Sequence, residues 1–145
     1  MSFIAQVIHD LLYVHPPHTL FVHFPIALVS AGLFFILLAL WLKKDIFEQV
    51  AFADLSLAAV STIVAGIAGL HDNLVFYHGG AANHNVKITL AIILFVVTGT
   101  TAIIRWKNPK LFHSTYKAIY VAAYVVGFAL VAVLGFLGGV IVYGF

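Results

Sequence analysis

The residues in this chain whose chemistry asks for an explanation are its eight histidines. Three of them fall in one stretch, His15-Pro16-Pro17-His18-Thr19-Leu20-Phe21-Val22-His23-Phe24-Pro25-Ile26-Ala27-Leu28, at the mouth of a long apolar run. The others are His9, His71, His78, His84 and His113. Neutral imidazole is the commonest biological metal ligand. The chain has no cysteine, which excludes disulfides, thiolate ligands, iron–sulfur clusters and c-type haem attachment. What remains is haem iron, non-haem iron, copper or zinc, held by His, Asp, Asn, Tyr or water. No nucleophilic triad, phosphate-binding glycine loop, paired-carboxylate site or H-E-x-x-H run can be read, so the sequence assigns no enzyme class.

The elements that must position these rings follow from composition. Of 145 residues 63% are hydrophobic and 8% charged, with a mean hydropathy of +1.12. A soluble domain carries about a quarter of its residues as charges. The chain is therefore read as an integral membrane protein forming one domain, residues 1–145. Its basic residues sit in short connections, so they report orientation and not nucleic-acid binding. No signal peptide is expected, because there is no basic leader and Asp10 interrupts the apolar segment.

Residues 1–17 form an interfacial segment. Phe3, Ile4, Val7, Ile8, Leu11 and Leu12 recur at helical spacing up to Val14, too few residues to cross a bilayer. Pro16-Pro17 then breaks the helix. Four apolar runs follow, at about 20–42, 50–70, 86–104 and 117–143. They are continuous and not alternating, so helices and not a barrel satisfy the backbone in lipid. Short connections make neighbours antiparallel, predicting an all-α, up-down four-helix transmembrane bundle. Pro25 suits the first turn of the first span, and Trp41 its far interface. Asp54, near the start of the second span, is read as solvated or capping. The small residues of spans two and four serve helix packing, or admit a flat ligand or a second copy.

Lys43, Lys44, Arg105, Lys107, Lys110 and Lys117 fall in the first and third connections, against Lys87 alone at the other face. Positive-inside reasoning puts those connections in the cytoplasm and both termini in the periplasm of a cell inner membrane. His15, His18, His23, His71, His78, His84 and Asp72 then share the outer end of the bundle, with His9 on the same side and His113 opposite.

Two histidines on facing helices are the axial pair of a b-type haem. His23 and His84, each opening a span, are the expected pair, with His71 or His18 as substitutes. A six-coordinate haem transfers electrons and does not activate oxygen, so a quinone or a periplasmic redox protein is the expected partner, besides membrane lipid. A mononuclear zinc, copper or iron site would instead gather His18, His23, Asp72 and His84, with an Asp or Asn orienting a ring N–H. The third expectation is a structural subunit of a larger respiratory complex, its histidines merely interfacial. His15 and His78, beside Pro and Gly in loops, are read as interfacial and not as ligands, and His9 as facing the interface.

The stretch from His18 to Leu28 resembles the opening motif of the domain of unknown function 2231 family, His-Pro-x-x-Val-His-Phe-Pro-Ile-Ala-Leu, with Thr19 where proline is usual. Gly69-Leu70-His71-Asp72 is similar to its Gly-x-x-Asp element, and Ala81-Ala82-Asn83-His84-Asn85 to an Ala-x-x-His followed by Asn. The resemblance covers most of the chain. It implies a four-helix membrane domain, candidate residues His18, His23, Asp72 and His84, and a link to electron transfer, since some relatives are joined to Rieske-type domains.

Overall fold

The computed structural model describes residues 2–10 and 17–143, the last three by their backbone alone. His15 and Pro16 lie outside the described residues, as does the expected continuation of the first helix over residues 11–14. All described elements are helical: α1 (Phe3–His9), α2 (Pro17–Phe21), α3 (His23–Leu42), α4 (Asp45–Val75), α5 (His84–Lys107), a 3₁₀ turn (Leu111–His113) and α6 (Lys117–Tyr143).

The Ser2 hydroxyl caps α1 by accepting from the Ala5 N–H at 3.3 Å. None of its residues is buried; Phe3, Ile4, Val7 and Ile8 all point outward. Helices α2 and α3 are one segment interrupted at Val22. Pro25 has no N–H to give the Phe21 carbonyl, so the ladder breaks there.

Four stretches are long and apolar enough to cross a membrane: 17–42, 45–75, 84–107 and 117–140. The chain folds as the expected transmembrane four-helix bundle, with α3 against α4, α4 against α5, α5 against α6 and α6 closing on α3. Its outer surface is apolar, including Phe34, Leu57, Ile67, Ile92, Ile119 and Phe136. An apolar exterior at this density is a lipid-facing one. Both tryptophans are exposed, Trp41 ending α3 and Trp106 ending α5, and so form a belt at one end.

The second span, α4, is longer than the apolar run suggested. Its 31 residues span about 46 Å at 1.5 Å per residue, well beyond a hydrocarbon core of about 30 Å. It starts at Asp45 because Glu48, one turn in, finds a partner inside the bundle. It runs to Val75, so His71, Asp72 and Asn73 stand in its last turns and not in the connection. Asp54 is consequently nine residues into the helix, about 13 Å from its start, which corrects the capping role expected for it; the residue is partly exposed, and its Oδ2 is buried without a hydrogen-bond partner among the described residues. The return to α5 uses left-handed backbone at His78 (φ 49°), Gly79 (φ 82°) and Asn83 (φ 55°), with the Gly79 N–H closing on the Asn73 carbonyl at 2.7 Å.

Candidate functional site

Pro17 opens α2, where its missing N–H is no loss. The next N–H, that of His18, is donated to Asp72 Oδ2 at 3.0 Å. A carboxylate from α4 therefore caps α2 and meets its positive end. The second oxygen, Oδ1, accepts from His71 Nδ1 at 3.3 Å. Asp72 is 4% exposed, and both its oxygens are engaged.

His18 Nδ1 lies 2.9 Å from the carbonyl oxygen of Ala65. A carbonyl only accepts, so Nδ1 carries the proton and Nε2 is the bare nitrogen of the neutral ring. Among the described residues Nε2 has no partner. Gly69, one turn on from Ala65, is what lets the ring come this close: a Cβ there would stand 3.0 Å from Nδ1 and 3.2 Å from Cε1.

A second chain of contacts fixes His84. The Ala81 N–H donates to Asn73 Oδ1 at 3.0 Å, which orients the amide. Asn73 Nδ2 must then be the donor towards His84 Nε2, 3.3 Å away. His84 is thereby the Nδ1–H tautomer, with Nε2 already occupied.

His18, His23 and His84 all line one partly open cavity of about 450 Å³ between the membrane helices. That volume is within the usual range for small-molecule sites. Beside the histidines its lining includes the polar side chains of Asp72, Asn73 and Lys87; towards the bundle interior it includes Thr62 with the apolar Ile26, Leu94, Val131 and Leu134. The α5 contribution, His84, Lys87, Ile88, Ala91 and Leu94, is one helical stripe. Thr62 donates to the Ala58 carbonyl at 2.8 Å and is spent locally. Gly66, Gly135 and Gly138 thin the walls. A shallower depression at the opposite end, beside Leu40, Lys117 and Val121, has no ligand-type ring.

The structure thus brings together His18, His23, Asp72 and His84, as the antiparallel order required. It separates their roles. His71 is not part of the cavity wall and serves Asp72. His78 is exposed in the connection. His113 sits at the far end, its Nε2 3.0 Å from Asp45 Oδ1. Among the described residues no three His, Asp or Glu side chains group as a metal site. The expected four-ligand set is split because Asp72 is committed to His18 and His71, and His84 Nε2 to Asn73. Asn73 is the positioning residue that the sequence reading did not single out; it follows the Gly-x-x-Asp element directly, and that adjacency was the available signal.

At the other end of the bundle the chain's only glutamate meets its only arginine. Arg105 donates from Nε to Glu48 Oε1 at 2.6 Å and from a terminal nitrogen to Oε2 at 2.8 Å. The Tyr120 hydroxyl donates to Glu48 Oε1 at 2.9 Å and lies 2.9 Å from the Tyr124 hydroxyl. Glu48 is 3% exposed. This network ties α4, α5 and α6 together.

Residues 14–145 match the family model described as a predicted membrane protein (DUF2231). No curated protein and no solved structure matches the chain.

Proposed function

The chain belongs to the DUF2231 family, and from the cavity at its histidine end we propose that it is a multi-pass membrane redox protein holding a b-type haem, with His18 Nε2 as an iron ligand. The observation that carries this is the His18 ring itself. A ligand imidazole characteristically donates its other N–H to a carbonyl or carboxylate, which fixes the tautomer and aims the free nitrogen. His18 does so to Ala65 and leaves Nε2 without a partner among the described residues. His23, on the same cavity and with no hydrogen bond to its ring among the described residues, is the second ligand of choice. His84 ranks behind it, since it would first have to leave Asn73. The apolar end of the cavity suits a porphyrin body, and a six-coordinate iron suits electron transfer. A quinone or a redox protein outside the membrane is the partner such a site would serve. The lysine and arginine distribution supports an inner-membrane orientation with the histidine end and both termini on the periplasmic side.

The test is the absorption spectrum of purified protein, oxidised and then reduced with dithionite, with metal analysis of the same sample. A sharp Soret band with resolved reduced bands, lost in His18→Ala, is the expected result. Stoichiometric zinc, copper or iron without a Soret band would replace haem with a single metal ion. Neither signal, in protein expressed with haem and metals supplied, would leave a structural subunit.

A further inference from the structure

We infer that the cavity takes an anionic amphiphile, whose carboxylate or phosphate pairs with Lys87 while its apolar body lies along Ile26, Leu94, Val131 and Leu134. Lys87 is half-buried in the cavity wall. No carboxylate lies within ion-pair distance of it among the described residues. The one acid on the same wall, Asp72, has its two oxygens turned to the His18 N–H and the His71 ring. Lys87 also stands in the first turn of α5, which contains no acidic residue. A cation there opposes the positive end of the helix dipole. A charged side chain inside a membrane span normally faces a partner or a polar pathway. Among the other polar groups on this wall, Asp72, Asn73, Thr62 and the Nδ1 of His18 already have protein partners. Lys87 offers three donors, and among the described residues none of them is taken, so the partner is an anion supplied by the ligand.

The apolar remainder of the cavity says what that anion is attached to. A free inorganic anion would leave Leu94, Val131 and Leu134 facing empty space, whereas an acid on an apolar body fills both ends. A haem propionate and the head of a fatty acid or an anionic lipid share this chemistry. The inference deepens the cavity reading, but holds for either source.

The experiment uses the full chain in nanodiscs and compares wild type, Lys87→Gln and Lys87→Arg. Haemin is titrated beside its dimethyl ester, and oleate beside oleyl alcohol; retention of phosphatidylglycerol against phosphatidylcholine is read by native mass spectrometry. The expected result is that wild type and Lys87→Arg favour the acid form of at least one probe pair by about tenfold or more, and that Lys87→Gln loses that preference. Preference for haemin over its ester assigns the propionate. Preference for oleate or phosphatidylglycerol with no haemin binding keeps Lys87 as the anion site and removes the haem. Haemin bound no better than its ester, with no Lys87-dependent retention of oleate or phosphatidylglycerol, overturns the inference and leaves haem binding standing. Absence of any Lys87-dependent binding overturns it too, and makes Lys87 a lysine that reaches out to the interface. Removing an unpaired charge from a span is not expected to unfold the bundle, and the helical circular-dichroism signal of Lys87→Gln checks this.

Discussion

The His18 ring occupies the space that a side chain on Gly69 would fill, 3.0 Å from Nδ1 to a Cβ at that position. The same ring is held at Ala65, and its backbone N–H at Asp72. Gly69 and Asp72, the two named positions of the Gly-x-x-Asp element, therefore act on one histidine from the opening motif. Gly69 admits the ring and Asp72 holds the backbone that presents it.

Gly69→Ala should push the ring off Ala65 and weaken or abolish cofactor binding. The steric conflict is with a ring wedged against a helix, so the expected stability loss is about 1–3 kcal/mol. Gly99→Ala is the control, because Gly99 lies off the cavity wall and a Cβ there meets only Phe95 Cε2, at 4.0 Å. Thermal unfolding in detergent and a haem titration read both effects. Equal behaviour of the two variants would show that His18 is not wedged at Gly69.

Asp72→Ala removes an acceptor from two donors, the His18 N–H and the His71 ring. Leaving a buried N–H unpaired costs about 1–3 kcal/mol. Hydrogen exchange at the His18 amide should accelerate strongly, while exchange in the core of α4 stays slow. Unchanged protection of that amide would argue against the cap.

Breaking the pair of Glu48 and Arg105 should be severe. Arg105→Ala strands a buried carboxylate, for an expected loss of about 3–5 kcal/mol, and Glu48→Ala strands the guanidinium. The double variant should cost much less than the two singles summed. A thermal double-mutant cycle checks this, and additive losses would mean the pair is uncoupled. Tyr120→Phe, which removes a third bond to Glu48, should cost about 1 kcal/mol.

Asp54 predicts the opposite sign. Its Oδ2 is buried without a partner inside a membrane helix. Asp54→Leu should stabilise the bundle by about 1–3 kcal/mol, and Asp54→Asn by less. A destabilised Asp54→Leu would show that the carboxylate has a function or partner in the membrane.

Orientation can be read directly, because the chain has no native cysteine. In spheroplasts, a membrane-impermeant maleimide should label Ala82→Cys in the exposed α4–α5 connection and spare Lys110→Cys until the membrane is permeabilised. The reverse pattern would invert the proposed topology.

Hydropathy alone determined the class of this protein. Apolar runs of about 20 residues allow only spanning helices, and four of them with short connections allow little but an antiparallel bundle. That order by itself collected His18, His23, His71, Asp72 and His84 at one end, since alternate connections must share a face. Helix ends were less legible. Glu48 reads as a boundary until its partner is seen, and α4 continues through Asp72 because its carboxylate is used by α2.

What only the tertiary structure decided was the state of each ring nitrogen and the identity of each partner. His18 meets Ala65 and Asp72 across 47 and 54 residues, and Glu48 meets Arg105 across 57. No local period encodes such pairs; they depend on how each helix is rotated about its own axis in the bundle. That rotation turned His71 towards Asp72 and off the cavity, occupied His84 with Asn73, and placed Lys87 on the wall with no carboxylate beside it among the described residues. The sequence supplied every one of these residues, but hydrogen bonds are settled by ångströms and not by spacing along the chain.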